Sequence, residues 1–131
     1  MQKAVDTNVL ARALIADTGV QGRRATAVIR DCSVHIPETV LFETEWLLRS
    51  QLGVARGAVN RVLSNLLALS NVHLDDVAKV ADALSAHKNG MDFADALHLF
   101  SARNCEQFLS LAVDSRNALK KLPIPFRLGS F

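Results

Sequence analysis

The chain has 131 residues, 50% of them hydrophobic and 21% charged, which suits one domain with a sizeable core and excludes a disordered segment. Against 13 acids there are 15 Lys and Arg, so a strongly basic coat is excluded and any nucleic-acid contact must come from where charge is placed. Cys32 and Cys105 lack zinc-ligand spacing, no apolar run approaches membrane length, and MQKAVDTN is no signal peptide; buried free thiols, no membrane and a cytoplasmic location are expected.

In chain order, Gln2 to Val5 reads as a short strand ending in Asp6-Thr7-Asn8. The helical run VLARALIA follows, with Thr7 and Asn8 as capping residues. Asp6 then lies at the carboxyl end of a strand, where open α/β sheets bind ligands, or simply caps the helix. Residues 21 to 31 form a second helix whose Arg23, Arg24 and Arg30 read as a solvated face. Ser33 to Ile36 is a second strand. Pro37 opens a helix that runs to Gly53. Residues 55 to 70 carry Val59, Val62, Leu63, Leu66 and Leu67 at a period near 3.6. Val72 to Leu74 is a brief strand or a linker, and Asp75 and Asp76 start the helix DDVAKVADALSAHK. On that helix Asp82 follows Lys79 and reads as surface, and Asn89-Gly90 ends it. Next comes MDFADALHLF, Met91 to Phe100. Phe108 to Val113 reads as a buried strand ending in Asp114, and Leu122 to Phe126, with two prolines, as an edge strand at best. The alternation predicts an α/β fold, a central and mainly parallel sheet covered by helices, in a single domain over 1–131.

Several carboxylates stand out against this frame. Asp92 and Asp95 are three residues apart and share a helix face. Asp92 reads as a helix cap or as a site acid. Asp95 sits among Phe93, Ala94, Ala96, Leu97, Leu99 and Phe100 with no cation one turn away, and a carboxylate buried there needs a partner from elsewhere. His98, three residues on, reads as a packed histidine or as a hydrogen-bond partner of Asp95. In the third helix Glu38 suits the helix dipole, and Glu45 has Arg49 four residues on, the order for an exposed ion pair. Glu43, beside Trp46, has no basic neighbour and is the glutamate expected to function. Right-handed crossovers put Asp6 and Asp114 at one edge of the sheet, with Glu43, Asp92 and Asp95 near helix starts that face it. Carboxylates converging without cations repel, and a divalent cation removes the conflict. All-oxygen ligation points to Mg²⁺ or Mn²⁺ and to phosphodiester hydrolysis.

VDTNVL, LFETEWLLRS, DFADALH and a late strand ending in Asp, in this order, resemble the PIN-domain nucleases, and within them the VapC-type toxins of toxin–antitoxin pairs. The resemblance runs from Asp6 to about Leu122. It implies a three-layer α/β/α sandwich, Mg²⁺ or Mn²⁺ dependence, cleavage of RNA, a homodimer, and a small antitoxin that blocks the site. The family's acids correspond to Asp6, Glu43, Asp95 and Asp114, with Asp92 as an additional acid and Asn8 as a polar residue supporting the first Asp. Many members carry a hydroxyl two residues before the last Asp; Ala112 stands there, and Ser115 is the nearby substitute. Arg12 and Arg116 are expected to hold the RNA backbone. Other readings are a PIN nuclease of RNA processing and a metal-binding module without catalysis. An aspartyl phosphatase wants an Asp where Asn8 stands, and a phosphoacceptor domain wants a Lys on the late strand FLSLAV.

Overall fold

Strand β1 (Gln2–Ala4) pairs in parallel with β2 (Ser33–His35), and β2 in parallel with β3 (Val72–His73), in the order β1-β2-β3. The register sets Lys3 opposite Val34 and Val34 opposite Val72. Parallel neighbours need a crossover between them, and helices supply it. Helices α1 (Thr7–Leu14) and α2 (Val20–Asp31) join β1 to β2. Helix α3 (Glu38–Trp46), its π-helical continuation (Leu47–Gln51) and α4 (Arg56–Leu67) join β2 to β3. The computed structural model describes residues 2–109 and 128–129. Every strand pairing among them is parallel, so the expected α/β class with a parallel sheet holds, and Val72–His73 is a strand and not a linker. The chain divides into two compact units, Met1–Val77 and Ala78–Phe131.

In the first unit β2 is the central strand, and its Val34, with Ile36 just beyond, is fully buried. Helix α1 turns Leu10 and Ala11 inward, and α2 turns Gly22, Ala25 and Ile29 inward. The chain between these helices is tightly tied. Arg12 donates to Asp17 Oδ2 at 2.7 Å, and the Gly19 N–H donates to Asp17 Oδ1 at 2.9 Å. Gly22 is obligatory here, because a Cβ on it would sit 2.1 Å from the Asp17 carbonyl oxygen. At the other end of α2, the Asn71 amide donates to the carbonyls of Ile29 and Cys32 at 2.6 and 2.8 Å. Two helix-end carbonyls thereby find the donors that the helix itself cannot supply.

Helix α3 corrects one expectation. Glu45 does pair with Arg49, Nε to Oε2 at 2.9 Å, but Glu45 is only 2% exposed. Leu41, Thr44, Glu45 and Leu48 form the i, i+3, i+4, i+7 stripe that α3 and its continuation bury. Thr and Glu fill its middle positions, which hides the stripe from a count of apolar residues. The outward face carries Phe42, Glu43 and Trp46. In α4, Val59, Leu63 and Leu66 of the expected stripe are buried.

The second unit holds α5 (Val77–Lys88), which begins at the boundary, α6 (Phe93–Ser101), and β4 (Phe108–Leu109) parallel to β5 (Leu128–Gly129). Gly90, at φ +107°, ends α5. The Met91 N–H reaches the Ala86 carbonyl and the Gly90 N–H the His87 carbonyl, both at 3.1 Å, the paired bonds of a Schellman close. Asp82 accepts from Arg103 at 3.0 Å, while Lys79 donates to Ser101 at 3.3 Å, so the partner of Asp82 is not the lysine preceding it. Both cysteines are free, but Cys32 is half-buried and Cys105 exposed, which corrects the expectation of two buried thiols. The strand expected to run on to Asp114 and the segment Leu122 to Phe126 lie outside the described residues. No described helix is long and apolar enough to cross a membrane.

Candidate active site

Two residues past β1, Asp6 is the N-cap of α1. Its Oδ1 accepts the Val9 N–H at 3.0 Å. The cap is therefore Asp6 itself, and Thr7 and Asn8 lie in the first helical turn, not before it. Capping uses one carboxylate oxygen and leaves Oδ2 with no hydrogen bond or ion pair among the described residues. Asp6 is exposed, so capping and ligand binding are compatible in one side chain.

Glu43 lies in α3, where it too is exposed. Thr7 in the first turn of α1 donates its hydroxyl to Glu43 Oε1. Oε2 has no partner among the described residues. The start of α1 thus holds one oxygen of each carboxylate, Asp6 through a backbone amide and Glu43 through a hydroxyl. Sequence reasoning missed Thr7. It read as a capping residue, and a contact spanning 36 positions leaves no trace in periodicity.

In the second unit Asp92 is the N-cap of α6, and its Oδ1 accepts the Asp95 N–H at 3.1 Å. The capping reading of Asp92 is thereby observed. Asp95 stands in the first turn of α6 and is half-buried, beside the buried Phe93, Ala96 and Leu97. His98 is exposed and its imidazole makes no hydrogen bond among the described residues, so the side chain is neither packed nor bonded to Asp95. Asp114, Arg116, Ala112 and Ser115 lie outside the described residues.

Asn8 is exposed and its side chain makes no hydrogen bond among the described residues; the Val9 amide donates to Asp6. Arg12 is half-exposed and engaged with Asp17. The Gly19 amide, then the Arg12 guanidinium, hold the Asp17 carboxyl below its usual range. An apolar trough of about 490 Å³ lies elsewhere in the first unit, against Ala13, Leu14, Ile29, Val62, Leu66 and Leu69, and includes neither site carboxylate.

The donor set fits a hard divalent cation. Asp6 and Glu43 are exposed, each keeps one oxygen without a partner, and neither is ion-paired among the described residues. Carboxylate oxygens are the ligands that Mg²⁺ and Mn²⁺ take, and they usually keep several waters as well. No cluster of three or more His, Cys, Asp or Glu in metal-holding geometry occurs among the described residues.

The chain matches the PIN domain family over residues 3–106, most of its length, and belongs to that family. PIN domains are generally metal-dependent nucleases, so the chain's function class is that of a nuclease, a phosphodiester hydrolase. The matched region contains Asp6, Glu43, Asp92 and Asp95 and stops before Asp114. No curated protein and no solved structure matches the chain.

Proposed function

We propose that this PIN domain is an Mg²⁺- or Mn²⁺-dependent endoribonuclease, the toxin of a type II toxin–antitoxin pair. The observation that carries the metal-dependent part is the start of α1. Its first turn donates one hydrogen bond to Asp6 and one to Glu43, each carboxylate keeping an oxygen without a partner and making no ion pair among the described residues. The RNA and toxin parts rest on the order of VDTNVL, LFETEWLLRS and DFADALH within the PIN domain.

Asp6 and Glu43 are proposed as ion ligands, with Asp95 and Asp114 as the further acids of the motif. When bound, the ion polarises a phosphoryl oxygen and makes water nucleophilic near neutral pH. Asp6 contributes a carboxylate whose direction is set by its own helix. Glu43 contributes one whose position on an exposed face leaves room for substrate. Asp92 holds the first turn of α6, the turn that carries Asp95. Arg12 and Arg116 are proposed RNA-backbone contacts; Arg12 would use donors other than the NH1 that Asp17 occupies. A small antitoxin that covers the acids, a homodimeric state and a cytoplasmic location complete the proposal.

The test is a digest of total RNA by the purified protein, with cut sites mapped. Cleavage with Mn²⁺ or Mg²⁺, stopped by chelator and restored by added ion, supports the reading. Inert RNA under both ions contradicts it. A small protein from an adjacent reading frame that binds this one and stops cleavage identifies the toxin role, and its absence leaves an RNA-processing nuclease.

A further inference from the structure

The side chain that holds Glu43 belongs to neither the acidic set nor the helix cap. Thr7 is the first residue of α1, and its hydroxyl donates to Glu43 Oε1. Its place is well anchored: Asp6 caps the helix in front of it, and Leu10 and Ala11 are buried behind it. The branched Cβ restricts Thr7 to few rotamers, so its hydroxyl is a stiff donor. Glu43 is the opposite, an exposed glutamate with three side-chain torsions. Backbone geometry alone would let its carboxylate sweep a wide volume.

We propose that Thr7 is a positioning residue for the metal centre: it pins Glu43 through Oε1, so that Oε2 is presented to the divalent cation that Asp6 also binds. The proposal rests on the nuclease reading above. Its physical content is that of an outer partner fixing a ligating carboxylate, whose loss typically costs 10- to 100-fold in metal affinity. The neighbours of Glu43 make Thr7 the effective restraint. Thr44 and Glu45 are buried and fix the rotation of α3, but neither controls the torsions of the Glu43 side chain itself.

Thr7→Val keeps the shape and removes the donor, and Thr7→Ser keeps the donor. Mn²⁺ binding is measured by calorimetry on the whole protein, without RNA. Thr7→Val is expected to bind Mn²⁺ about 10-fold more weakly than wild type, with its melting temperature unchanged and with Thr7→Ser close to wild type. In a Glu43→Gln background, Thr7→Val should weaken Mn²⁺ no further, because its effect runs through that carboxylate. For RNA cleavage at saturating Mn²⁺, kcat of Thr7→Val should return towards wild type and KM for RNA stay unchanged. If Thr7→Val does not fold, Thr7→Ala carries the same expectations. Wild-type Mn²⁺ affinity in the donor-less variant overturns the proposal, and so does an equal loss with and without Glu43. If the wild-type protein binds Mn²⁺ and cuts RNA but Thr7→Val binds Mn²⁺ equally tightly, this proposal alone fails. A wild-type protein that binds no Mn²⁺ sinks the nuclease reading with it.

Discussion

Glu43 and Glu45 stand two positions apart in α3 and meet opposite surroundings. Glu45 is buried against Arg49, whereas Glu43 faces outward with one oxygen unpartnered among the described residues. Replacing the buried carboxylate with an amide removes the negative charge that the Arg49 guanidinium faces. Glu45→Gln should therefore lower stability by about 2 kcal/mol, less than for a wholly buried pair because Arg49 is partly open to water. Glu43→Gln should stay within about 0.5 kcal/mol of wild type and lose cleavage instead. Denaturant unfolding and an RNA digest on the same two samples separate these outcomes. Asp92 is tested the same way. Asp92→Ala should cost about 1 kcal/mol of stability through loss of the cap, while Asp92→Asn keeps it. Full cleavage by Asp92→Asn would confine Asp92 to capping. At this scale the sequence was legible where a side chain's role is local, as for the cap at Asp92. Its limit was Glu45, whose burial depends on a stripe with two polar members, and Thr7, whose partner is remote in the chain.

Between elements, the junction of α1 and α2 is where small changes should be felt most. Gly22→Ala would set a methyl group against the carbonyl oxygen, carbonyl carbon and Cβ of Asp17, none of them the far end of a flexible side chain. We expect a loss of about 1–3 kcal/mol, read as a lower melting temperature. Asp17 itself makes the junction acid-sensitive. The Gly19 N–H and then Arg12 favour its ionised form in the folded state, so its pKa there lies below the unfolded value of about 3.8. The stabilisation is complete above that value and is lost as pH falls through the lowered folded pKa. Asp17→Asn should accordingly flatten the acid limb of the stability curve below about pH 4 and leave its neutral-to-basic shape unchanged. The helices themselves were readable from spacing and punctuation, since α1, α2, α4 and α5 each begin and end within a few residues of the sequence reading. What spacing cannot show is a helix approaching another segment closely enough to demand Gly22.

For the whole molecule, the parallel sheet followed from short strands alternating with helical runs, because such strands can be joined only by crossovers. The family membership followed from three motifs kept in order. Of the proposed acids, Asp6 and Glu43 are each hydrogen-bonded by the first turn of α1 in the first unit, Asp95 stands in the first turn of α6 in the second, and Asp114 lies outside the described residues. The central claim is that Asp6 serves catalysis while its helix survives without its charge. Asparagine caps a helix about as well as aspartate but is a far poorer ligand for a hard cation. The decisive measurement is Mn²⁺-dependent cleavage of a labelled RNA by wild type and Asp6→Asn at matched folded concentration, with melting curves for both. A variant that melts like wild type and cuts about 100-fold more slowly or not at all is the predicted result. A variant that melts like wild type and cuts at the wild-type rate would contradict it.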